Sequence, residues 1–397
     1  MMEYLIVNAN IITPLTDTPI TNNPQLYEYN QYCISLKKGT IEKIGKYQDL
    51  KSEINKETKI IDISNHYLCP GFIDCHTHLL FDGKRITDFL KRQQGKTYQE
   101  IAQEGGGIKY TVNQTINSPN LKKLLIQRIK DSINNGTTLI EIKNGYAIEI
   151  DKEIEHLKLI KEISKFSPIK IIPTFLAHIP PENFNEYIEH LGKKKFEIRS
   201  LTEFFDIFCD KTAFSVEQTL KIIETLKDQN FYFRFHTNEF GEDGLIKQLY
   251  LNYKNSINIR SFDHLLVLPE ETADIIKKLK SFAVIMPSTS WFLGKEYSPV
   301  YKLLERDIPI CLATDYNAGS SNVISMLMVC NLSSIYLKLQ PEKILSYITA
   351  NPAFLLNVKA GQIREKYMGI FNILKTDNWK EICFSLDKKI IEPLILL

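Results

Sequence analysis

The sequence predicts an α/β fold: a (β/α)8 TIM-like barrel carrying a small β-sandwich domain assembled from both termini. Three observations carry this expectation. From about residue 68 onward, strand-length apolar runs alternate with longer amphipathic stretches, the pattern of parallel strands joined by helical crossovers. About eight such units span roughly 290 residues, the count and size of a closed eight-unit barrel. Both ends instead hold short alternating runs separated by turns, which read as a small antiparallel sheet. A doubly wound sheet would more naturally show fewer units and a glycine-rich first turn. No GxGxxG follows a strand, and Gly105-Gly106-Gly107 lacks the lysine-serine completion of a P-loop.

Taken in order, the first part of the chain, residues 1–65, holds YLIVNANIIT and YCISLKKGTIEKIGK and most of TKIIDISNHYL, which runs on to Leu68, all short alternating strands. The barrel is expected over 66–356. Its strands are LCPGFIDCH, TTLIEIK, IKIIPTFLAH, FFDIFCD, FYFRFH, RSFDHL, FAVIMP and IPICLATD, mostly rich in Ile, Val and Phe. Among the helices, DKEIEHLKLIKEIS sets Ile154, Leu157, Ile160 and Ile163 on one face, with Asp151 as N-cap. SVEQTLKIIETLKD starts with Ser215 as N-cap and has Gln218 three residues on, the spacing of a capping box. The end of the chain, 357–397, holds GIFNIL, WKEICFSL and KKIIEPLIL, which are expected to join residues 1–65 in one β domain.

Composition narrows the function class. The 397 residues are 44% hydrophobic and 24% charged, with a formal net charge of +2 and no basic stripe. Nucleic-acid and membrane partners are therefore not expected. No apolar segment reaches the roughly 18 residues of a membrane span, and the start lacks a signal-peptide pattern. Seven scattered cysteines without a CxxC pair suit a reduced, cytoplasmic protein.

The chemistry starts at GFIDCHTHLL, residues 71–80. Residues two apart on a strand face the same side, so His76 and His78 converge if the strand persists. In a barrel that side is the lumen, and the C-terminal rim is where barrel enzymes place their sites. Two neutral imidazoles at one point suit zinc or a similar ion, and equally suit two hydrogen-bonded rim histidines. Other strand ends carry ligand types too: His178, His236, His264 and Asp315. His156 and His190 are expected to face solvent from helices.

PGFIDCHTH, a lone histidine on a later strand and a strand ending in ATD resemble the amidohydrolase superfamily. FDGKRITDFLKRQQGKTYQEIAQEGGGI, EIKNGYAIEID, TFLAHIPPE, FCDKTAFSVEQ, HTNEFGEDG, DHL and LATDYNAGSSNVISM narrow the resemblance to its imidazolonepropionase family. The resemblance implies one divalent or trivalent metal ion, Zn(2+) or Fe(3+), held by His76, His78, His236 and Asp315. It implies substrate contacts from Arg85, Tyr146, His178, Glu239, Asn317, Gly319 and Ser320. It further implies hydrolysis of the imidazolone ring of 4-imidazolone-5-propanoate to N-formimidoyl-L-glutamate, the third step of histidine degradation, by a homodimer. The substrate is then a small molecule with a carboxylate tail.

The residue types fit those roles. Arg85 can grip a carboxylate through two parallel bonds, or be a surface arginine. Tyr146 offers a hydroxyl donor, or packs half-buried. Glu239, three after His236, is a catalytic proton shuttle or a helix N-terminal acid. His264 is a catalytic base or oxyanion donor, or is bonded to Asp263 or Asp315. FFDIFCD has no lysine before Lys211 to bridge a second metal, so one ion is expected, and Lys143 reads as a structural charge. The chain departs from the family at Cys75, NGYA, Asn238 and Ala318. Two alternatives stand beside this reading: another amidohydrolase, such as a nucleobase deaminase, and a catalytically silent metal-binding homologue.

Overall fold

The computed structural model describes residues 2–64, 66–386 and 389–397. Eight parallel strands form one sheet in strict chain order, from Phe72–Asp74 to Ile310–Leu312. Each pairs in parallel register with the next, as where His236 lies opposite Asp263. Between the first and last strands a short seam replaces the ladder. There the Asp315 amide donates to the His76 carbonyl at 3.0 Å, and the His78 amide donates to the Tyr316 carbonyl at 2.9 Å. Thr314 adds an amide and a hydroxyl bond to the Asp74 carboxylate, at 3.1 and 2.6 Å. The barrel is thereby nearly closed.

The helices bury the faces that their periodicity marks. Ile150–Ser164 buries Ile154, Leu157, Ile160 and Ile163. It begins one residue before Asp151, so Glu149 is the N-cap instead. Val216–Leu226 has the expected capping box, with Ser215 accepting from the Gln218 amide. His156 is only 8% exposed rather than solvent-facing, because its helix packs against both a barrel strand and the next helix.

A second sheet of seven strands draws on both ends of the chain. Tyr4–Pro14 is its hub, pairing antiparallel with Leu26–Lys37 and parallel with Lys59–Asp62 and Tyr67–Pro70. Ile370–Leu374 pairs with Tyr67–Pro70 and with Ile391–Ile395, both antiparallel. The run LCPGFIDCH is therefore not one strand. Its first half belongs to this sheet and its second half to the barrel, with Gly71 between them. A Cβ on Gly71 would lie 2.0 Å from Thr138 Oγ1, so only glycine lets the chain pass from one sheet to the other. WKEICFSL, expected as a strand, forms a 3-10 turn over Trp379–Cys383. Its buried residues Trp379, Ile382 and Cys383 follow a helical rather than a two-residue spacing.

Candidate active site

The first barrel strand stops at Asp74, so His76 and His78 lie past its end. The seam bonds hold this segment, and both rings turn inward, 0% and 3% exposed. His236 lies within the strand Tyr232–Thr237, and Asp315 follows Ile310–Leu312 by three residues. His78 Nε2 is 3.3 Å from His76 Nε2, 3.4 Å from His236 Nε2 and 3.3 Å from Asp315 Oδ1. His76 Nε2 is 3.6 Å from Asp315 Oδ1. Donors bound at about 2.0–2.1 Å to a tetrahedral ion sit roughly 3.3–3.4 Å apart, so these distances fit one shared cation.

The far sides of two of the three rings support that orientation, while His78 Nδ1 is buried without a hydrogen-bond partner. His76 Nδ1 donates to Asp263 Oδ2 at 2.6 Å, and His236 Nδ1 donates to Asp206 Oδ1 at 3.0 Å. Those bonds fix the tautomer that leaves Nε2 free as a ligand. Burial also lowers the pKa values of His76 (well below the ordinary value) and His78, favouring the neutral, ligating form. Burial acts to raise the Asp315 pKa, but the His78 bond and the His264 charge outweigh it and bring the carboxyl to about 2.

Beneath this cluster lies a fully buried charge network. The Arg234 Nη2 donates to Asp263 Oδ2 at 2.6 Å, and its Nη1 donates to the Cys75 carbonyl at 2.8 Å. Lys143 Nζ sits 2.7 Å from Glu141 and 2.8 Å from Asp206. Burial resists ionisation of Asp206, yet the facing His236 and Lys143 charges hold its pKa well below the usual range. Arg234 and Lys143 thus tie down the carboxylates that orient His236 and His76.

Above the cluster opens a cavity of about 270 Å³. His78, Arg85, Tyr146, His178, Glu239 and His264 are among its walls, with Asn317, Gly319 and Ser320 along one side. His236 and Asp315 line it too, and with His76 below these are all the residues proposed for the site from the sequence. His178 Nδ1 donates to the Gly145 carbonyl at 3.1 Å, and burial holds its pKa well below normal. Burial raises the Tyr146 pKa to about 12, keeping its phenol protonated as a donor. Arg85 is anchored by its Nε bond to Thr111 Oγ1 at 2.7 Å. A Cβ at 319 would come within 2.3 Å of Arg85 Nη1, so Gly319 makes room for the guanidinium.

Some side chains work differently from a simple contact. Asn317 Oδ1 accepts from the Gly319 and Ser320 amides at 2.8 and 2.7 Å, and its Nδ2 donates to the Asp315 carbonyl at 2.7 Å. Its amide therefore shapes the turn that carries Gly319. His264 is not the partner of Asp263, whose Oδ2 serves His76. His264 Nε2 lies 3.9 Å from Glu239 Oε2 instead. His264 and Asp315 have φ of 80° and 51°, left-handed values that cost about 1–3 kcal/mol each and gather at functional sites. Asn238 also has φ 56°, and donates from Nδ2 to the Val267 carbonyl at 2.9 Å. An aspartate there could not donate, and this departure from the family shapes a loop rather than a cavity wall.

The sequence does not single out Asp206 and Arg234 below the site, or Arg92, Lys96 and Lys295 on its walls, and it offers Asp263 only as a partner of His264. A signal for the first group exists: FYFRFH places a charge two residues before a histidine on an otherwise apolar strand, hence on the same face. Arg92 lies seven residues after Arg85, two helical turns on and on the same side. Lys295 carries no local signal.

The profile of the amidohydrolase family matches residues 67–395. The chain belongs to the amidohydrolase family. An imidazolonepropionase from Kosmotoga olearia is 32% identical over 98% of this chain and 95% of its own length. One from Pseudoalteromonas atlantica is 34% identical over 91% of this chain and 89% of its own. Among solved structures, E. coli guanine deaminase superposes with a TM-score of 0.70 at 15% identity, covering 99% of this chain and 98% of that one. A triazine hydrolase variant gives 0.72 at 13% identity over 99% and 93%. These two likenesses show the amidohydrolase fold. The family is one of metal-dependent hydrolases, and His76 with His78 and Asp315, and His76 with His236 and His264, are grouped closely enough at the barrel mouth to hold an ion.

Proposed function

We propose that this amidohydrolase opens the imidazolone ring of 4-imidazolone-5-propanoate to give N-formimidoyl-L-glutamate. The observation that carries the reading is a single cavity that joins His78, His236 and Asp315, with His76 beneath them, to the guanidinium of Arg85. The end-to-end match to proteins named imidazolonepropionase supports the same substrate.

His76, His78, His236 and Asp315 would hold one ion, and the nitrogen-rich set suits zinc or iron. Such an ion supplies Lewis acidity and brings the pKa of a water towards about 7. The protein's own groups do the rest. Arg85 receives the propionate through paired charge-assisted bonds and so fixes where the ring lies. Tyr146 offers its protonated hydroxyl, and His178, bonded at Nδ1, presents an unprotonated Nε2 to the ring edge. Glu239 takes a proton from water, and His264 beside it stabilises the oxyanion on the former ring carbonyl. The same pair returns a proton to the departing ring nitrogen. The seven cysteines are all free and buried, which fits a reducing cytoplasm.

The test is turnover of freshly prepared 4-imidazolone-5-propanoate. Hydrolysis that requires both His236 and Arg85 is expected. Preference for a neutral amino-azine, indifferent to Arg85→Met, would reject the reading.

A further inference from the structure

We infer that Lys295 is a product-binding residue: its ammonium receives the carboxylate that hydrolysis creates, while Arg85 keeps the one already present. The inference rests on the reaction proposed above.

Lys295 follows the helix Pro287–Leu293 beyond the seventh barrel strand and lines the cavity. Its stem is partly exposed, but Nζ is buried and makes no hydrogen bond. The nitrogen stands 3.9 Å from the Phe240 ring centroid and 3.9 Å from Glu239 Oε1, too far for a hydrogen bond to that carboxylate. An ammonium carries three donors, and a buried one seeks acceptors. Burial pulls the Lys295 pKa down, against the attraction of Glu239.

The neighbouring cations are already engaged. Arg92 donates from both Nη atoms to the Gly319 carbonyl at 3.2 and 3.3 Å, and Lys96 pairs with Glu104. Arg85 and Lys295 therefore remain to meet anions in the cavity. The substrate has only one carboxylate. Water then adds across the bond between the ring carbonyl carbon and its nitrogen. Its oxygen stays on that carbon, which becomes a second carboxylate, and both of its protons end on the amidine set free. The product carries two carboxylates, matching two cations. Lys295 thus discriminates between the two ends of the reaction, favouring the opened ring.

The test compares Lys295→Met and Lys295→Arg with wild type. It reads KM for 4-imidazolone-5-propanoate, Ki for added N-formimidoyl-L-glutamate, and calorimetric Kd for N-formimidoyl-L-glutamate. For Lys295→Met, the product's Ki and Kd should rise about tenfold, as expected for one lost charge-assisted contact, and clearly more than KM. Lys295→Arg should restore most of that loss. Equal changes in Ki and KM would overturn the inference, because a lysine serving only Glu239 or the fold would act on both. An unchanged Ki would overturn it as well. Absence of wild-type turnover would instead remove the proposed reaction, and the calorimetric Kd would still decide the role of Lys295.

Discussion

Arg85 is where substrate choice is most exposed to a single substitution. Its guanidinium lies against Gly319 and is braced by Thr111, so the side chain is set before any ligand arrives. Bonds to a charged group contribute about 1.5–3 kcal/mol, so Arg85→Met should lower kcat/KM by roughly 10- to 100-fold. A double comparison checks this: an imidazolone lacking the propionate should lose a similar amount and be insensitive to Arg85→Met. The layer below the donors is equally specific. Asp263 binds both His76 and Arg234, so Asp263→Asn leaves His76 without its anionic partner. Metal affinity is expected to fall about 10- to 100-fold, measured by competition with a chelator. Retained affinity would mean that Asp263 serves only the fold.

At the level of elements, some of the architecture is legible in the sequence and some is not. The capping box at Ser215 is visible because it is local: two residues three apart satisfy two amides. Ser215→Ala should therefore cost about 1 kcal/mol of stability, seen as a lower denaturation midpoint, without changing kcat. The split at Gly71 was not legible, because the reason for it is Thr138, a residue 67 positions away and on the next strand. Gly71→Ala should destabilise the protein by about 1–3 kcal/mol, or more, by forcing that contact apart. The histidines show the same divide. Their identity and spacing announced a cluster, but the strand supposed to align them ends too early. The seam to Asp315 and Tyr316 does that work, and seam bonds between distant segments leave no periodicity to read. Asp206 is not legible, and Asp263 is matched to His264 rather than His76, for a related reason: a carboxylate inside an apolar run has meaning only once its partner is known.

Across the whole molecule, the proposed ligands come from the first, fifth and eighth units of the barrel, and one of their links is the seam that closes it. A cation bound there ties the two ends of the barrel together in the folded state alone. At free metal about 100 times its Kd, this linkage adds about 2.7 kcal/mol. Chelation should then lower the thermal midpoint of the wild-type protein, and His236→Ala should show little further response to the chelator. Whether those four side chains share one ion is measured most directly by anomalous diffraction at the absorption edge of the bound metal. One peak per chain is expected, about 2.0–2.2 Å from Nε2 of His76, His78 and His236 and from Oδ1 of Asp315. A peak elsewhere, two peaks, or a metal-free protein that still turns over substrate would contradict it.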